Sequence, residues 1–109
     1  MRSIIVAITI CLGIATTAAA ADSKVAMGEK LFTAQKCTLC HSIGAKGNKK
    51  GPLDEVGSKL SDGDLREWIT DAKAMTAKAK TTRKPLMKAY ALPKDDVDAL
   101  VAYLMTLKK

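Results

Sequence analysis

Hydrophobic positions recur at helical spacing in three stretches of this chain, and between those stretches the period vanishes. Over residues 22–35, Val25, Gly28, Leu31 and Phe32 share one side of a 3.6-residue helix, with Asp22 and Ser23 available as caps and Lys36 near its end. Gly28 interrupts that helix at a cost of about 1 kcal/mol against alanine, so it is either a tolerated residue or a point where another backbone packs close. Residues 42–57 have no period. Gly44, Gly47, Gly51, Pro52 and Gly57, with Lys46, Lys49 and Lys50, describe an exposed loop able to bend around something bulky. Ser61 and Asp64 have the spacing of a capping box, and the helix they open places Leu65, Trp68, Ile69 and Ala72 on one face, with Trp68 expected to point inward. Residues 72–84 alternate alanine and lysine without a continuous apolar stripe, which predicts a frayed helix passing into a loop that Pro85 ends. Residues 86–92 show no clear period. Pro93 then starts a last helix, with Asp95, Asp96 and Asp98 near its positive end and Lys108 and Lys109 near its negative end. Val97, Leu100, Val101, Leu104 and Leu107 form its apolar stripe, with Tyr103 beside it. Strand signals, internal repeats and a second domain are absent from the pattern, so the expected fold class is all-α.

Residues 1–21 read as an export signal. Arg2 supplies a positive start, residues 4–14 are an apolar run of the right length, and Ala19, Ala20 and Ala21 offer a small-residue cleavage site before Asp22. An uncleaved membrane anchor is the competing reading, since residues 4–21 just suffice to span a bilayer. Cys11 follows Ile10, where lipoprotein processing requires a small residue, so it is read as an inert part of the discarded segment. The remaining 22–109 form one domain in an oxidising, periplasmic compartment. Of the 109 residues 48% are hydrophobic but only 4% aromatic, so the core has few large side chains. A large apolar cofactor would supply that volume.

Cys37-Thr38-Leu39-Cys40-His41 names the cofactor. Two thiols three positions apart, followed at once by an imidazole, are what covalent haem attachment needs: each sulfur closes a thioether on one vinyl group, and the histidine reaches the iron. A structural zinc site would need four ligands, and the chain has one histidine and, outside this motif, only Cys11. A dithiol redox pair would want a βαβ pattern around it. One haem c is therefore the expected cofactor, with Trp68 either an ordinary core anchor or a haem contact.

With these pieces placed, the chain resembles a class I c-type cytochrome. The resemblance rests on Gly28 and Phe32 ahead of the attachment motif, on Gly51-Pro52-Leu53, on a late methionine and on Leu100-Val101-Ala102-Tyr103-Leu104. It implies three to four helices around a covalently attached haem, the first and last crossing at Gly28 with Phe32 and Tyr103 packed nearby. It also implies His41 as proximal ligand through Nε2, with Nδ1–H donating to the Pro52 carbonyl. Here Leu53 follows Pro52 directly, where the usual pattern has one residue between them. A sixth ligand would be methionine, lysine or none. Met27 and Met105 lie inside helices. Met87, beside Pro85 and at the family's separation from the last helix, is favoured over Met75.

The implied metal ligands are thus His41 and Met87, and the cofactor-binding set is Cys37, Cys40, His41, Pro52, Trp68 and Met87. A thioether ligand raises the reduction potential, and no general base pair or Ser/His/Asp set is present, so the reading is an electron carrier and not an enzyme. The alternatives are a gas-binding or sensing haem domain with an open sixth position, and a haem subunit of a larger oxidoreductase complex. A net charge of +7 invites nucleic acid as a partner, but export, scattered lysines and scarce aromatics argue against it. Lys46, Lys49 and Lys50, and then Lys73, Lys78, Lys80, Arg83, Lys84 and Lys88, cluster on either side of the proposed site. They point to acidic redox partners, or else form a solvated face that keeps a monomer soluble. Contact with a membrane is expected only through those partners or an uncleaved signal.

Overall fold

The computed structural model describes residues 16–109. Among them five α-helices dominate: α1 (Thr16–Ala34), α2 (Val56–Lys59), α3 (Asp62–Thr70), α4 (Ala72–Lys78) and α5 (Lys94–Met105). A 3-10 turn at Cys37–Leu39 and a two-residue hairpin, β1 (Ser42–Ile43) with β2 (Lys46–Gly47), fill the interval after α1. The hairpin pairs Ser42 with Gly47 and Ile43 with Lys46 and was not visible in the pattern, being too short to alternate. The fold is the expected all-α one.

α1 starts earlier than expected. Asp22 and Ser23 lie within it and do not cap it, because the alanine-rich stretch before them favours helix and contains no breaker. Most of the expected export signal, including residues 4–14 and Cys11, lies outside the described residues. Among the described residues no helix is long and apolar enough to cross a membrane.

α1 and α5 form the frame. At their crossing a side chain on Gly28 would run into the Ala99 carbonyl and come within 2.6 Å of Tyr103 Cβ, which gives the mid-helix glycine its reason. One turn on, the rings of Phe32 and Tyr103 meet edge to face at 6.1 Å. The core gathers Phe32, Val56, Leu65, Ile69, Val97, Leu100, Val101 and Leu104. α2 is pressed on the end of α5 through a second close approach: Gly57 N–H donates to the Leu107 carbonyl at 2.8 Å, and a Cβ there would stand 2.5 Å from the Met105 carbonyl.

α3 opens with the expected capping box, Asp64 N–H on Ser61 Oγ at 3.1 Å and Ser61 N–H on Asp64 Oδ2 at 3.2 Å. Leu65, Ile69 and Ala72 are buried as expected, but Trp68 is only half-buried and lies outside the core. At 100° per residue its position falls roughly 60° from Leu65 and 100° from Ile69, at the edge of the buried stripe. An ion-paired network ties α3 to α5: Arg66 bridges Asp62 and Asp98, and Lys94 Nζ donates to Asp98 Oδ2 at 2.8 Å.

α4 is not frayed. Lys80 takes a left-handed conformation (φ 52°), Thr81 N–H bonds the Thr76 carbonyl at 3.0 Å and Lys80 N–H the Ala77 carbonyl at 3.2 Å. This double closure ends the helix sharply, with a lysine where glycine is usual.

Candidate functional site

The end of α1 delivers the motif. Lys36 swings into a left-handed conformation (φ 59°), and the chain then coils so tightly that the Cys37 carbonyl accepts from both Cys40 N–H (3.2 Å) and His41 N–H (2.9 Å). One turn therefore carries both thiols and the imidazole. Cys37 and Cys40 are free and half-buried. Burial pushes the Cys37 thiol up, opposed by a backbone hydrogen bond, so it is protonated at neutral pH.

His41 is half-buried, and its Nδ1 lies 3.1 Å from the Gly51 carbonyl. As donor there, Nδ1 keeps its proton and leaves the Nε2 lone pair for a metal. Burial pushes the imidazole's pKa down, the Gly51 bond opposes this and the Arg83 charge reinforces it, so the ring is neutral at neutral pH. The acceptor is Gly51 and not the expected Pro52. Around Ser42 the chain forms a parallel bridge in which Ser42 N–H bonds Gly51 O (3.0 Å) and Leu53 N–H bonds Ser42 O (2.9 Å). Alternate carbonyls of an extended segment point to opposite sides, so with Gly51 O and Leu53 N–H both turned to Ser42 it is Gly51 that faces the imidazole.

The loop that follows is fastened to the same turn. Asn48 N–H is shared between the Thr38 and His41 carbonyls, at 3.0 and 3.1 Å, and Asn48 Nδ2 donates to the Leu39 carbonyl at 3.1 Å. Gly47 makes this possible, with φ 99° and the His41 carbonyl lying where its Cβ would be.

Met87 lies on the irregular segment between α4 and α5 and is half-buried, whereas Met75 is buried in α4 with 5% exposure. Two contacts bracket Met87. Arg83 Nη2 donates to the Cys40 carbonyl at 2.6 Å, and Tyr90 N–H donates to the Ile69 carbonyl at 2.8 Å. The sequence counted Arg83 only among the basic residues near Met87. Its contact spans 43 positions, and no local signal marks it. Gly51 was visible as a turn residue but not as an acceptor, and Asn48 and Tyr90 carried no signal.

Among the described residues no three His, Cys, Asp or Glu side chains converge as a metal cage, so a structural zinc finds no ligand set there. Two free thiols and a neutral, oriented imidazole on one turn do suit a haem attached through both sulfurs. The family model for cytochrome c matches residues 25–108. The chain belongs to the cytochrome c family. That match takes in every element of the site, and the cofactor of a cytochrome c is covalently bound haem c. The chain is also 29% identical over 91 residues to a cytochrome c oxidase subunit 2 of Alkalihalophilus pseudofirmus. The alignment covers 74% of this chain but spans only 25% of that relative. No solved structure matches it.

Proposed function

We propose that this cytochrome c is an exported, periplasmic carrier of single electrons, with Cys37 and Cys40 as the attachment residues, His41 and Met87 as axial ligands and Trp68 against the cofactor. Bound haem c supplies a one-electron couple, and a thioether opposite an imidazole raises its potential. The observation that carries the reading is the His41–Gly51 contact, which presents Nε2 of a neutral imidazole beside both thiols. Met87 suits the sixth position because its segment is tied to the attachment turn on one side and to α3 on the other. Met75 is taken up by the interior of α4.

Five of the lysines lie on segments fastened to the attachment turn. Asn48 holds Lys46, Lys49 and Lys50 against it, and Arg83 does the same for Lys84 and Lys88. Leu39, in that turn, and Leu86, between Lys84 and Lys88 in the chain, are exposed, at 69% and 44%. Exposed apolar side chains in segments that also carry lysines suit an acidic redox partner, which those charges would orient as it approached. Similarity to an oxidase subunit 2 supports a second reading, a haem-carrying unit of a larger oxidoreductase.

Met87→Ala should abolish the ferric sulfur-to-iron charge-transfer band, lower the potential and admit carbon monoxide, while Met75→Ala should do none of these. Ready carbon monoxide binding by the unaltered protein would favour a gas-binding function and count against a carrier.

A further inference from the structure

Arg83 joins two parts of the site that lie far apart in the chain. Its Nη2 reaches the Cys40 carbonyl at 2.6 Å, and its Nη1 lies in the niche left by the missing side chain of Gly51. His41 Nδ1 borders the same niche, 3.0 Å from where a Gly51 Cβ would sit. The half-buried guanidinium thus rests on the backbone of the attachment turn, beside the imidazole and its acceptor. A planar fork can hold a carbonyl and fill such a slot together, which an ammonium cannot.

Met87 lies four positions after Arg83, at most about 14 Å of extended chain. The segment has neither helix nor strand, and Lys84, Pro85, Leu86, Lys88 and Ala89 are exposed, so packing does little to place it. Among the described residues, the Arg83–Cys40 bond is the hydrogen bond that holds this segment to the fold between Thr81 and Tyr90. Of the two lysines on this segment, Lys88 has its Nζ 5.2 Å from the centre of the Tyr90 ring.

We propose that Arg83 is a latch, fastening the Met87 segment to the attachment turn and thereby setting how readily the thioether leaves the sixth position. It is a positioning residue, acting through Met87, and the inference rests on Met87 as sixth ligand. A hydrogen bond from a charged donor shifts an open–closed equilibrium by roughly tenfold or more. An added ligand that competes for the sixth position should sense that shift directly.

The test titrates ferric holoprotein with imidazole and follows loss of the sulfur-to-iron band. Arg83→Met should bind imidazole roughly tenfold tighter than the unaltered protein. Arg83→Lys, which keeps the charge and serves if the methionine variant folds poorly, should fall between them. Lys30→Met, an exposed charge on α1, should change nothing. Met87→Ala marks the fully open limit. If Met87→Ala binds tightly and both Arg83 variants match the unaltered protein, the latch is overturned while the ligand reading stands. If Met87→Ala binds no tighter than the unaltered protein, the ligand reading fails and takes the latch with it. An Arg83→Met effect confined to the pH dependence of the potential would mean that the guanidinium answers to a carboxylate of the cofactor, which also overturns the latch.

Discussion

At Gly28 the backbone of α5 passes so close that even a methyl group would strike the Ala99 carbonyl, and at Gly51 the Cys40 carbonyl, the Arg83 guanidinium and the His41 ring crowd one point. The two glycines serve different ends, and substitution separates them. Gly28→Ala should destabilise the holoprotein by about 1–3 kcal/mol, the usual cost of overpacking, and leave its visible spectrum unchanged, because its neighbours are Ala99 and Tyr103 and not a donor group. Gly51→Ala should instead loosen the Nδ1–H bond, make His41 a weaker donor and raise the reduction potential. Denaturant midpoints and potentials measured on both variants decide it, and identical spectra and potentials would mean that Gly51 has no special place beside His41. The attachment turn was legible residue by residue because its chemistry is local. The acceptor for His41 was not, since which carbonyl faces the ring depends on the pairing register at Ser42, visible only once that bridge is laid out.

Elements whose code is short-range were read well. Ser61 with Asp64, and Pro93 ahead of the stripe from Val97 to Leu104, each announce a helix start within one turn. The end of the first helix was read to within one residue, but the sharp stop at Lys80 escaped notice because lysine there occupies a left-handed position normally given to glycine. The bond between α3 and α5 was also hidden: Asp98 suits a helix start by sequence, but the fold sets it between Lys94 and Arg66. These two partners, Lys94 foremost, hold its carboxyl down at about 2, against an ordinary 3.8. A depressed carboxyl stabilises the fold fully above its unfolded value and loses that contribution as pH falls through its folded one. Stability should therefore decline between pH 3.8 and about 2 partly through Asp98. Thermal melts of Asp98→Asn should be lower than those of the unaltered protein at neutral pH and converge with them across that window. Parallel curves would show that the pair contributes nothing there.

On the scale of the molecule, Asn48 and Arg83 fasten two separate lysine-bearing segments to one turn, a connection that charge counts do not reveal. If those segments receive an acidic partner, electron transfer should slow steeply as salt rises, since screening is strong beyond about 10 Å at 0.1 M. Stopped-flow rates for Lys84→Glu and Lys88→Glu should fall further than those for Lys24→Glu, on α1. Equal effects from all three would remove those segments as the docking face. The crossing at Gly28 bears on the protein's manufacture as well. α1 cannot find its main packing partner until Lys94–Met105 have been synthesised, long after Cys37 and Cys40. At about 5–20 residues per second the ribosome needs several seconds to cover that interval. If the chain is exported N-terminus first, both thiols also emerge ahead of the helix that closes the fold, so the attachment turn arrives open to whatever machinery joins it to its cofactor.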